Sequence, residues 1–291
     1  MNAPLYSDRV RGPRPRILES ISLSVWVALV SLIERRINDN WLAHEFPEQC
    51  PDGNGIAGTD VQSLDDTLRA IIPGLAIPLN RHEIPELLDI LDLIDFIGQH
   101  ISKSIPYKWH DYFSHHELGF DDGEGRRLFR EDVDHLFARA GIAFTINNYM
   151  QVERLGPPEA RQVIADLSPD SGDSTLDNLI IDARTRFLSP LIDDRRLALE
   201  KLWDAFERLK TIDPGVDKKQ SAGALLGRVA SGEWFQRLND EMRELTTIGN
   251  VMQIRHFETS KKDVPEGAVD YLFNRLASMI LYLLRSTGRL A

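Results

Sequence analysis

Between Gly249 and Asp263 the chain reads G-N-V-M-Q-I-R-H-F-E-T-S-K-K-D, and Arg255 and His256 stand side by side in it. An imidazole, whose ordinary pKa is about 6.5, is suited to general acid or base work near neutral pH. A guanidinium beside it, followed by the ammonium groups of Lys261 and Lys262, supplies what holds or neutralises a phosphate. Asn250 is placed to orient a bound group. Glu258 falls three residues after Arg255, at the spacing for a helical ion pair. Leu238, Met242, Leu245, Ile248 and Met252 recur at helical spacing ahead of the pair. At roughly 100° per residue, continuing that helix puts His256 in the middle of the apolar side and Arg255 at its margin. Two readings follow from these residues. In one, His256 lines a cleft as acid or base. In the other it is a half-buried histidine bonded to a carbonyl, and the cations complement the negative end of the helix dipole.

A second group lies in K-W-H-D-Y-F-S-H-H-E-L-G-F-D-D, residues Lys108 to Asp122. His110, His115, His116, Glu117 and Asp121 offer nitrogen and oxygen donors of the kind metals take. The spacing matches no H-E-x-x-H helix. The stretch reads as an aromatic connection, with Trp109, Tyr112 and Phe113 packed on the first helices and the histidines at the surface. No metal or other cofactor is therefore expected. The single cysteine, Cys50, excludes an intrachain disulfide and a Cys-rich zinc site. The run D-G-N-G-I-A-G-T-D, Asp52 to Asp60, lacks the ending of a phosphate-binding P-loop.

The elements that carry these residues are mostly helical. Leu18, Ile21, Val25, Leu29, Leu32 and Ile33 predict a helix from Ile17 to about Ile37, after an arm over residues 1–16. A long loop follows. Asn80 with Glu83 predicts a capped helix with Ile84, Leu87, Leu88, Leu91, Ile94 and Ile101 inward. A helix through Phe129, Val133, Leu136 and Phe137 should stop at Gly141. The run I-A-F-T-I-N-N-Y-M-Q-V-E-R, residues 142–154, predicts a β-hairpin about Asn147-Asn148. Its tip has no Lys or Arg, which argues against a DNA-reading wing. The polar run Asp166–Thr175 predicts a boundary between an acidic helical domain over 17–165 and a helical bundle over 176–291. In the bundle, Ser189-Pro190 predicts a helix start before Leu199, Leu202, Trp203, Phe206 and Leu209. Next come a weaker segment at 224–229 and a helix from Trp234 to His256. Asp263 with Glu266 predicts a capping box for the last helix. The fold class is mainly α.

With 291 residues and a net charge of −11, the chain is a poor general binder of polyanions. The charge is uneven. Residues 1–179 hold 16 Lys/Arg against 29 Asp/Glu, and residues 180–291 hold 18 against 16. The second part is thus the candidate for meeting RNA, and the acidic first part the candidate for a protein partner. No leader or membrane-length apolar run is apparent, so a cytoplasmic protein without membrane contact is expected.

Three blocks resemble the C-terminal part of AbiJ-type abortive-infection proteins, within the HEPN class of helical domains. They are L-S-P-L-I-D-D-R-R-L-A-L-E-K-L-W-D-A-F-E-R-L-K-T-I from Leu188, the G-N-V-M-Q-I-R-H-F-E-T-S-K-K stretch, and V-D-Y-L-F-N-R-L-A-S-M-I-L-Y-L-L-R from Val269. The region from D-N-W-L-A-H-E-F at Asp39 to Arg154 is similar to the N-terminal region of the same proteins. The resemblance implies a HEPN-like bundle, a homodimer, a phage-defence setting and metal-independent RNA cleavage. The site residues it implies are His256, Arg255 and Glu258, with Asn250, Lys261 and Lys262 toward substrate. HEPN ribonucleases carry an Arg and a His separated by four to six residues, whereas Arg255 and His256 are adjacent. The alternative is therefore a non-catalytic interaction or regulatory module. The literal match R-E-D-V-D-H, Arg130 to His135, lies among acids on a predicted helix and reads as accidental.

Overall fold

The computed structural model describes residues 5–252, 254 and 264–291. The chain divides into two compact units, Met1–Leu155 and Gly156–Ala291. Both are mainly helical, and every sheet among the described residues has two strands.

The first unit runs α1 (Tyr6–Arg11), α2 (Leu23–Asn38), β1 (Pro47–Gln49), β2 (Ile56–Thr59), α3 (Val61–Ile71), α4 (Leu87–His100), β3 (Lys103–His110), β4 (His115–Asp121), α5 (Asp122–Ala140), β5 (Phe144–Ile146) and β6 (Val152–Arg154). Its core is built by three helical stripes: Trp26, Leu29 and Ile33 of α2, Ile90, Leu93, Ile94 and Ile97 of α4, and Phe129, Val133 and Phe137 of α5. Spacings of three and four put each set on one side of its helix. Asp121 caps α5 by accepting from the Glu124 N–H at 2.9 Å. Gly141 ends it in the left-handed conformation, φ 78°, as its type predicts.

Several boundaries differ from the sequence expectation. α2 starts at Leu23, because Ile17 and Leu18 run extended beside Gly141–Ala143. Arg16 also bonds the Ile142 carbonyl at 2.9 Å, and Asp8 of the expected arm pairs with Arg139. α4 starts at Leu87, not near Asn80. The Asn80 carboxamide instead accepts from the His82 N–H, making a local turn, and Ile84 and Leu88 are exposed. The hairpin about Asn147 is present, with Phe144 paired to Arg154. It is joined by two hairpins that were not expected, β1–β2 in the long loop and β3–β4 in the aromatic connection.

The second unit contains α6 (Arg161–Asp166), α7 (Ser174–Phe187), α8 (Ile192–Leu209), α9 (Lys218–Val229), α10 (Gly232–Val251) and α11 (Glu266–Ser286). The polar run Asp166–Thr175 lies inside this unit, since Ala160 and Ile164 before it and Leu167 within it belong to the same core. Asp173 in that run caps α7 through the Leu176 N–H, and its carboxylate also takes Arg208. The expected faces of α8 and α11 are buried: Leu199, Leu202, Trp203, Phe206 and Leu209 on one, and Val269, Leu272, Phe273, Leu276, Ile280 and Leu283 on the other. Phe187 and Phe273 stack with centroids 3.8 Å apart. Ser189 stands before α8 but does not cap it. Its hydroxyl donates to Asp194, and the helix begins two residues after Pro190. α11 is capped at Pro265, and Asp263 lies outside the described residues.

Two contacts yield quantitative expectations. Gly249 of α10 lies against the Trp203 ring, where an added Cβ would fall 2.0 Å from Nε1. Glycine normally weakens a helix by about 1 kcal/mol relative to alanine. At this site Gly249→Ala should instead destabilise by about 1–3 kcal/mol in denaturant melts, through overpacking. Gly227→Ala on α9, with open space at its Cβ position, should stabilise by up to about 1 kcal/mol.

Asp95 accepts the Val152 N–H at 2.6 Å and so ties β6 to α4. Burial pushes its pKa from the ordinary 3.8 up to about 6, the neighbouring Asp92 adds to this, and the Val152 bond opposes it. A carboxyl raised on folding contributes stability below its unfolded value and loses it as pH climbs through the folded one. Asp95→Asn keeps the acceptor and removes the charge. It should match the wild type near pH 4 and exceed it by about 1–2 kcal/mol above about pH 6.5, after allowing for solvent screening.

Candidate metal centre

Of the residues selected in the sequence, Arg255, His256, Glu258, Lys261 and Lys262 lie outside the described residues. Asn250 is exposed on the last turn of α10. That helix ends at Val251, with Met252 extended at ψ 150°. The helical phase that placed His256 in an apolar seam therefore stops five residues short of it. Ile254 is buried in the second core, so the chain turns inward just before the Arg255-His256 pair.

The first unit brings together a group that the sequence reading divided and discounted. β3 and β4 are joined by a tight turn in which the Ser114 N–H bonds the His110 carbonyl at 2.8 Å. Register makes His110 and His115 direct cross-strand partners, and their rings meet edge to face. On the neighbouring hairpin, the turn after β1 is shaped by Gly53 and Gly55, both at positive φ. Cys50 accepts from the Gly53 N–H and donates to the Gly55 carbonyl. Asp52 folds back to accept the Asn54 N–H at 2.9 Å. These turns direct Cys50, only 2% exposed, at the two histidines.

The geometry is close. Cys50 Sγ lies 3.4 Å from His110 Nδ1 and 3.3 Å from His115 Nε2. The three donor atoms lie within 4.8 Å of one another. His115 Nδ1 is 3.0 Å from the His116 carbonyl, and a carbonyl can only accept. His110 Nε2 stands 3.5 Å from the Asp52 carboxylate. Each ring therefore has a proton-accepting partner on its far nitrogen and turns its near nitrogen to sulfur. Burial pushes the thiol pKa up, and its hydrogen bond to Asp52 and the charges of Asp52 and Glu117 add to this. Asp52 is held down at about 2, first by that thiol bond and then by the Asn54 N–H.

The remaining candidates of this stretch stay apart. His116 packs edge-on against Trp109, Glu117 pairs with Lys108 at 3.3 Å, and Asp121 caps α5. Trp109 and Tyr112 do not pack on the first helices as expected; they are 49% and 85% exposed. The expected exposure of the histidines is also reversed at His110 and His115, which are half-buried. The missed signal was the pairing itself. P-D-G-N-G after Cys50 and the four residues between His110 and His115 are both hairpin turns, and each sets a donor at a strand end.

Comparison of the chain with protein-family models, curated proteins and solved structures found no match. Chemically, the cluster presents one thiol and two imidazoles, a donor set suited to borderline divalent cations. No helix among the described residues is long and apolar enough to cross a membrane.

Because Cys50 is the sole cysteine, its reactivity is easily followed. Alkylation at neutral pH should run at least about tenfold slower in the native chain than in denaturant, as burial suppresses both access and thiolate. Equal rates would contradict the enclosed placement of Sγ.

Proposed function

We propose that the chain is a defence protein of the abortive-infection kind that acts on RNA through its second unit. In this reading His256 is the general acid or base, and Arg255 stabilises charge on the phosphate in flight. Glu258 pairs with Arg255, and Asn250, Lys261 and Lys262 hold the backbone of the substrate. Cleavage proceeds within the RNA without a metal, and a homodimer forms through the helical bundle.

One observation carries the reading. The three blocks that resemble AbiJ-type proteins fall on α8, on the end of α10 with the connection after it, and on α11. Those helices contribute to one core, with Gly249 of α10 against Trp203 of α8, and Phe273 of α11 stacked on Phe187 at the end of α7. Blocks separate in sequence thus contribute to one core through α8, the end of α10 and α11. The near-balanced charge of residues 180–291 supports the same assignment. A second reading rests on the adjacency of Arg255 and His256, which departs from the spaced pair of HEPN ribonucleases. Under it the bundle is a non-catalytic interaction module, and the acidic first unit meets a protein partner.

Total RNA incubated with the full chain, without added divalent ions and again with EDTA, separates the two. The first reading expects cleavage in both conditions and a loss of about a hundredfold or more in His256→Ala and Arg255→Ala. Wild type as inert as folded His256→Ala selects the interaction module.

A further inference from the structure

We propose that Cys50, His110 and His115 bind a zinc ion that fastens the β3–β4 ribbon to the β1–β2 hairpin, with Asp52 as the carboxylate that orients His110. The argument begins with proton counting. His115 Nδ1 faces a carbonyl, so its proton sits there and Nε2 turns a lone pair toward sulfur. His110 Nε2 faces the Asp52 carboxylate, so Nδ1 turns a second lone pair toward sulfur. The thiol has one proton for these two acceptors and for Asp52. A neutral hydrogen-bonded cluster therefore leaves lone pairs in opposition beside a buried sulfur. A divalent cation that displaces the thiol proton satisfies every donor at once.

The two sulfur–nitrogen separations agree with that occupant. Zinc takes thiolate sulfur at about 2.3 Å and imidazole nitrogen at about 2.0–2.1 Å, so tetrahedral ligands stand about 3.6 Å apart in S···N. The two observed separations are 3.4 and 3.3 Å. Histidine ligands in such sites commonly donate their far N–H to a carboxylate or a backbone carbonyl; here His115 Nδ1 stands 3.0 Å from the His116 carbonyl and His110 Nε2 3.5 Å from the Asp52 carboxylate. Three protein ligands leave one tetrahedral position for water. A nucleophilic cysteine with a His-Asp pair would show the same His110–Asp52 contact. It would have no use for a second imidazole on the sulfur, and it would need an accessible thiol.

The fold supplies a reason for the ion. The far half of the β3–β4 ribbon exposes Tyr107, Trp109 and Tyr112, so little apolar burial holds it. A two-stranded hairpin alone is marginal in water. A metal joining residue 50 to residues 110 and 115 closes a long loop at the ribbon tip.

The test uses the full chain, stripped of metal and titrated with Co²⁺, then Zn²⁺. One equivalent of Co²⁺ should give tetrahedral d–d bands and a thiolate-to-cobalt charge-transfer band, both erased by Zn²⁺. Cys50→Ser should lose the charge-transfer band, and His110→Ala and His115→Ala should bind at least tenfold more weakly. Asp52→Asn should weaken zinc about 10–100-fold. His116→Ala, one residue from a ligand and outside the cluster, should bind as wild type. A folded wild type with no cobalt charge-transfer band overturns the proposal even if a variant fails to fold. So does equal loss in His116→Ala and His115→Ala.

Discussion

A two-stranded β-ribbon cannot bury enough surface to hold itself together, and this constraint governs how the first unit is built. Among the described residues three such ribbons occur, and they are held by contacts outside themselves. β5–β6 sinks Phe144 and Ile146 into the helical core and is stitched to α4 by Asp95. The base of β3–β4 is pressed against α5, where Gly125 leaves no room for a Cβ beside the Lys103 backbone nitrogen. Ser104 Oγ adds a bond to the Asp39 carbonyl. The far end of that ribbon has neither aid. Cross-strand pairs such as Lys108 with Glu117 are exposed and contribute little. What meets it there is the Cys50 turn, so the polar cluster takes the place that an apolar core takes elsewhere in the unit.

The second unit solves the same problem with helices, and its buried charges serve as ties between them. Asp213, after α8, is 6% exposed and receives Arg228 of α9 and Arg289 of the C-terminal tail, each at 2.8 Å. Burial alone would raise its carboxyl pKa; the two guanidinium groups overcome that and hold it below the usual value. Removing one member of such a group leaves an uncompensated charge, so its worth lies in fixing the arrangement more than in net energy. Lys210 does similar work, reaching Glu207 and Thr246 while lying over the Phe206 ring.

How much of this was legible follows from the range of each interaction. The faces of α8 and α11 were readable because a helix writes its burial into spacings of three and four. Gly141 was readable because a left-handed cap demands its residue type. The start of α4 was misread because Asn80 and Glu83 satisfy a local turn as well as a cap. The ribbon β3–β4 was missed because it shows no clean alternation: Tyr107 and Trp109 are exposed although their types suggest burial. The Cys50 cluster was beyond the same reach. Its members lie some 60 residues apart, and only the packing of the β1–β2 hairpin beside β4 brings the turns together. A lone cysteine was taken to exclude a Cys-rich site, which is sound. It does not exclude a site in which imidazoles supply the other donors.

The same distinction bears on the α10–α11 connection. The point at which the chain enters residues 253–263 is set by described contacts: Gly249 against the Trp203 ring, Thr246 on Lys210, and Ile254 returning to the core. On the other side Val264 is buried and α11 begins at Glu266. Both ends of the segment are thus anchored to the same bundle. The periodicity that extends α10 to His256 in the sequence is interrupted at Met252, whose extended ψ of 150° ends the helix. Spacings of three and four record a buried face only while the helix lasts, so the apolar pattern up to Met252 carries no phase beyond it.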